Sequence, residues 1–81
     1  MKVKVKFYSL HREITGKNEI YLEVEKGKKL KDVLKLIFEN YPELEKLKDF
    51  TFASLNHKYA NGEEIINEED EIAIFPPVGG G

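Results

Sequence analysis

Charged and apolar residues alternate strictly through Lys2-Val3-Lys4-Val5-Lys6-Phe7. A period of two is that of a half-buried strand, so Val3, Val5 and Phe7 are expected on a core face, with Lys2, Lys4, Lys6 and Tyr8 on the other. Residues 19–25 repeat the pattern with Ile20, Leu22 and Val24 inward, and Lys26-Gly27-Lys28 supplies a turn. The intervening SLHREITGKN reads as a loop or one short helical turn ending near Gly16. The period then changes. Leu30, Val33, Leu34, Ile37, Phe38 and Tyr41 fall on a single helical stripe, with Asp32 in the first turn, where the macrodipole favours an anion, and Pro42 as the stop. After ELEKLKD, residues 50–56 read as a third strand, with Ala53 and Leu55 on one face and Phe52 and Ser54 on the other. Turn signals follow at Asn56-His57 and Asn61-Gly62, a short strand is expected near Ile65, and residues 71–75 form the last strand with Ile72 and Ile74 inward.

This order predicts an α+β domain in which a mixed sheet of about five strands carries one main helix across one face. The other face stays open. In-phase strands place Tyr8, Tyr21, Phe52 and Phe75 on it, which marks a partner surface unless some of them pack under the loop after residue 56.

An 81-residue chain builds one core and buries only about 60 to 65% of its unfolded surface. Cysteine is absent, which removes disulfides, thiolate nucleophiles and cysteine metal sites and fits a reducing cytoplasm. The alternating N-terminus is neither a signal peptide nor a membrane span, so a soluble, cytoplasmic protein is expected. A net charge of −2 gives no basic footprint for nucleic acid. Charged residues make up 35% of the chain, against about 25% in typical proteins, and glutamine and tryptophan are missing, a composition reported for hyperthermophiles.

Side chains that could run a reaction are scarce. His11 and His57 are the only histidines and lack metal-ligand spacing, so both are read as solvated or loop-bonding and no metal site is expected. Ser9 and Ser54 have no evident base, and Gly16, Gly27 and Gly62 are isolated turn glycines. The acidic runs Glu63-Glu64 and Glu68 to Glu71 and the lysine stripe of the first strand read as solvated faces or as surfaces that steer a partner. What remains is the end, FPPVGGG. Pro76 and Pro77 favour an extended path away from the domain, and the glycines after them are slim enough to thread a channel. A tail of that kind is a tethered substrate: its carboxylate becomes an acyl donor once adenylated by ATP, and a sulfur or amine nucleophile then displaces AMP. The domain boundary is accordingly placed at residue 76, with 77–81 as a flexible reactive tail. A frayed, inert terminus has the same composition.

REITG at residues 12–16 and IAIFPPVGGG at residues 72–81 carry a resemblance over the whole chain to the small subunit of molybdopterin synthase (MoaD type), a ubiquitin-like β-grasp sulfur carrier. The resemblance implies that Gly81 bears a thiocarboxylate. It implies that Gly79 and Gly80 thread a partner's channel, and that Tyr8, Phe52, Phe75, Pro76, Pro77 and Val78 belong to the docking surface. It further implies an adenylating enzyme of the MoeB type, a large subunit of the MoaE type in a heterotetramer, and sulfur donation to cyclic pyranopterin monophosphate on the way to a molybdenum or tungsten cofactor. It implies, too, that the carrier binds no cofactor and that catalytic side chains come from the large subunit. The sequence departs from the family pattern at Gly79, where serine or threonine is usual, at Lys29, where a capping hydroxyl is frequent, and at Glu69, where glycine commonly precedes Asp70. Relatives with this fold also serve tRNA thiolation or attach to lysines as protein modifiers, so those readings stand beside the first, as does an interaction domain with inert glycines.

Overall fold

The computed structural model describes residues 1–77. The alternating N-terminus forms strand β1 (Lys2–Phe7), whose Val3, Val5 and Phe7 are fully buried. Strand β2 (Glu19–Glu23) pairs antiparallel to it, with Lys4 opposite Tyr21. The segment between them is more ordered than its composition suggests. It forms a helix, α1 (Ser9–Thr15), ended by Gly16 at φ 72°, whose N–H donates to Arg12 O at 2.8 Å. Only glycine takes that left-handed conformation without steric cost, which is why the helix stops there.

The apolar stripe becomes α2 (Leu30–Asn40). Its Asp32 carboxylate accepts the backbone N–H of the N-cap residue Lys29 at 3.0 Å, and as an acid in the first turn it also complements the helix macrodipole. Leu30, Val33 and Ile37 are buried, Leu34 and Phe38 partly so, and Tyr41 sets its ring edge-on to Phe7 at 5.7 Å. Each large side chain so buried contributes roughly 1.5–3 kcal/mol, which outweighs intrinsic propensity in holding an 11-residue helix.

Residues expected as a linker form a 3-10 helix, Pro42–Phe50, with Leu44 buried beneath it. Strand β3 is shorter than expected, Phe52–Leu55, and strand β5 is Glu71–Phe75, with Ile72 and Ile74 fully buried. The remaining strand is displaced from its expected place near Ile65. It is β4 (Lys58–Tyr59), joined to β3 by the two-residue turn Asn56-His57, with φ of 51° and 71°. Positive φ at both central residues is the geometry that matches the strand twist of a tight hairpin, so pairing is captured at the turn. Ile65 makes only an isolated bridge to Lys29, while Ile66 is buried.

Among the described residues the sheet has five strands in the order β2-β1-β5-β3-β4, with β1 and β5 parallel and the other neighbours antiparallel. β1 is interior and lies beside β5. Apolar residues of β1 and β5 meet α2, Leu44, Ala53 and Ile66 in a single core on one side of the sheet. No helix among the described residues is long and apolar enough to cross a membrane.

Candidate functional site

β5 ends at Phe75, and the side chain there projects from the open face because its neighbours Ile72 and Ile74 take the core side. Antiparallel pairing sets Phe52 directly opposite Phe75, with ring centroids 6.5 Å apart. The tight β3–β4 turn brings Tyr59 opposite Ser54 and lays its ring edge-on to Phe75 at 6.0 Å. On the other flank, Tyr8 N–H donates to Ile74 O at 3.1 Å, fixing Tyr8 beside the end of β5. Tyr8, Phe52 and Tyr59 are respectively 42%, 49% and 73% exposed, far above what an aromatic core residue shows.

Tyr8, Tyr59 and Phe75 border a concavity of about 690 Å³ that also takes in Ser9, Ser54 and His57 and runs to Pro76 and Pro77, with Phe52 outside its lining and against Phe75. Pro76 is half-buried and Pro77 exposed, so the chain leaves the sheet at the edge of the aromatic cluster. The structure thus brings Tyr8, Phe52, Phe75, Pro76 and Pro77 together. Val78, Gly79, Gly80 and Gly81, including the position expected to bear the thiocarboxylate and most of the expected 77–81 tail, lie outside the described residues.

Two aromatics depart from expectation. Tyr21 is on the open face but on the far side of β1, with the Lys2 and Lys4 ammonium groups 5.5 and 5.9 Å from its ring, so it belongs to a charged half of that face. Tyr59 joins the cluster in its place. Its signal was the Asn56-His57 dipeptide, which sets the register of a hairpin two residues on. Next to the cluster, the Glu71 carboxylate lies 3.6 Å from His57 Nε2 and 4.0 Å from Lys6 Nζ.

His11 corrects the expectation of a solvated or loop-bonding histidine, for it is fully buried. The Thr51 hydroxyl donates to Leu47 O at 2.7 Å, which leaves its lone pair to accept from His11 Nε2 at 2.8 Å. The ring is therefore the neutral Nε2–H tautomer, and Nδ1 is buried without a hydrogen-bond partner among the described residues. Burial holds the His11 pKa below its usual 6.5. The imidazole braces α1 against the 3-10 helix and has no access to the aromatic concavity's solvent side. Glu69, the third departure from the family pattern, has φ 69°, so it occupies the left-handed conformation that a glycine adopts freely.

Among the described residues, no group of three His, Cys, Asp or Glu side chains is placed to hold a metal ion. The arrangement is an exposed aromatic cluster beside Pro76 and Pro77, where the chain leaves β5.

Comparison with known proteins gives this geometry a context. The model of the ThiS family matches residues 5–81. The molybdopterin synthase sulfur carrier subunit of Chlamydomonas reinhardtii is 32% identical over 83 residues, spanning all of both chains. The small archaeal modifier protein 1 of Haloferax volcanii superposes with a TM-score of 0.90 at 25% identity, again over all of both chains. The solved complex of subunits 1 and 2 of the molybdopterin-converting factor from Helicobacter pylori contains a chain of the same fold, with a TM-score of 0.74 at 23% identity and full coverage of both. With the family matched over nearly its whole length, and with the strand order and single main helix of a ubiquitin-like β-grasp, this chain belongs to the ThiS family.

Proposed function

We propose that the protein is the sulfur carrier subunit of a molybdopterin synthase. One observation carries the reading: an exposed aromatic cluster stands at the root of the FPPVGGG end, in a chain whose full-length relatives include carriers of that name. Ordering each glycine on binding costs roughly 1–2 kcal/mol of conformational entropy, so a glycine tail delivers its end efficiently only when a firm surface elsewhere docks the domain. Phe52, Phe75 and Tyr59, with Tyr8, are that surface.

In this reading Gly81 is adenylated with ATP by an enzyme of the MoeB type, and a sulfur nucleophile displaces AMP to give the thiocarboxylate. Gly79 and Gly80 thread the active site of a MoaE-type large subunit, and sulfur passes to cyclic pyranopterin monophosphate. The large subunit supplies the catalytic side chains, the synthase is a heterotetramer, and the carrier itself holds no cofactor.

A second reading, attachment through Gly81 to lysines of target proteins, is favoured by the close superposition on a small archaeal modifier protein. Intact mass after incubation with ATP, the activating enzyme and a sulfur source separates the two. A gain equal to replacing one oxygen by sulfur, lost on deletion of Gly81, together with conversion of the pyranopterin precursor when the large subunit is added, supports the carrier. Recovery of the chain only in isopeptide linkage to lysines supports the modifier.

A further inference from the structure

We propose that the outer edge of β2 is a second docking site, which accepts an extended segment of a partner protein with alternating basic and apolar residues as an added strand. The backbone makes the offer. Phe7 N–H donates to Asn18 O at 2.9 Å and Val24 N–H to Met1 O at 2.7 Å, so the residues of this segment that bond to β1 are Asn18, Ile20, Leu22 and Val24. The N–H and C=O groups of Glu19, Tyr21 and Glu23 therefore point away from the sheet, and they make no backbone hydrogen bond among the described residues. Among the described residues β1 is the only strand neighbour of β2.

Sheet edges are usually blunted by shortness, by lysine or by proline. The opposite edge obeys the rule, since β4 has two residues and one of them is Lys58. β2 is longer, with five residues and neither lysine nor proline, and its only charged side chains are Glu19 and Glu23. Its charges select an occupant instead. Glu19 and Glu23 flank Tyr21 on the open face, and β1 meets them with Lys6 and Lys2, while Lys2 and Lys4 reach over the Tyr21 ring. A second basic strand on the free side meets the same three residues. A second copy of β2 is disfavoured, because antiparallel pairing centred on Tyr21 sets Glu19 against Glu23 of the other chain.

The helix side of the edge is shaped to take the apolar residues of such a segment. A groove of about 410 Å³ opens between the end of β2 and α2, and Val24, Val33 and Leu36 give it an apolar floor. Around its rim the carboxylates of Glu25, Asp32 and Glu39 outnumber the ammonium groups of Lys28 and Lys35, which again favours a cationic ligand. β1 separates this edge from β5 and from Pro76 and Pro77, so both sites can be filled at once.

The test uses the full chain and the peptide acetyl-Lys-Val-Lys-Val-Lys-Val-amide, followed by NMR. At saturation, amide exchange at Glu19, Tyr21 and Glu23 should slow by about tenfold or more, as newly paired strand amides do. Shift changes should centre on β2 and the groove, and the Glu19→Gln/Glu23→Gln double variant should bind about three- to tenfold more weakly. The same peptide N-methylated at alternate residues should lose binding. Four outcomes overturn the proposal: equal binding by a glutamate-for-lysine peptide; shifts centred on Phe52, Tyr59 and Phe75; unchanged exchange at millimolar peptide; or slowing that follows protein concentration without peptide, which would make a second copy the occupant.

Discussion

Protonating His11 in the folded protein would place a second N–H at Nδ1, a buried atom with no hydrogen-bond partner among the described residues, while Nε2 is already committed to Thr51. The native state therefore refuses a proton that the unfolded chain takes up near pH 6.5. Above that pH both states hold a neutral ring and this group contributes no pH dependence. As pH falls below about 6.5 the unfolded state binds more protons, and stability drops until the lowered native pKa is reached. Urea midpoints measured between about pH 7 and pH 5 should fall more steeply for the wild type than for His11→Gln, and equal slopes would refute the assignment. Glu69 poses a different residue-scale problem. A β-carbon at φ 69° costs about 1–2 kcal/mol, of which glycine's greater unfolded freedom returns about half, so Glu69→Gly should stabilise by about 0.5–1 kcal/mol. Thermal unfolding should register this as a rise of a few degrees, on the order of 2–8 °C. The sequence exposed Glu69 through its departure from a glycine pattern. It could not expose His11, since a lone histidine near a chain turn carries no periodicity that separates a braced core ring from a solvated one.

At the scale of elements, what was legible is what repeats. Two-residue alternation located β1, β2 and β5 to within a residue or two, and the Leu30-to-Tyr41 stripe located α2. Ile37 sits at the centre of that stripe with no exposed surface, so Ile37→Ala should cost about 2–5 kcal/mol in denaturant unfolding, enough to threaten so small a domain. A loss under 1 kcal/mol would mean that the helix is not seated as described. The segment Pro42–Phe50 escaped because its apolar residues Leu44, Leu47 and Phe50 recur every third position, the period of a 3-10 helix, which matches neither template applied to it. β4 escaped because two residues are too few to alternate. Its position follows from the Asn56-His57 turn, recognised as a turn but not as a hairpin, and hydrophobicity drew the expected strand to Ile65 and Ile66 instead.

Across the described residues, the open face divides into an aromatic end at β5-β3-β4 and a charged end at β1-β2, and Pro76 and Pro77 follow β5 at the aromatic end. In the proposed carrier role this division separates holding from reacting. In the proposed carrier role Phe52 and Tyr59 supply docking area and lie outside the core, so Phe52→Ser/Tyr59→Ser should leave the domain folded at a cost of about 1–3 kcal/mol, the worth of the two ring contacts with Phe75. Buried aromatics at interface centres contribute about 1–4 kcal/mol each, so the pair should weaken association with the large subunit by at least about tenfold. Because the variant's terminus is untouched, saturating amounts of it, once thiocarboxylated, should restore turnover of the pyranopterin precursor. Removing Gly80 and Gly81 should do the reverse, keeping association within a few-fold of the wild type while abolishing transfer at any concentration. Calorimetric titration alongside precursor conversion reads both quantities from the same preparations. Should the aromatic variant bind as tightly as the wild type, the cluster is not the docking surface, and the entropy of the glycine tail would have to be met by contacts elsewhere on the domain.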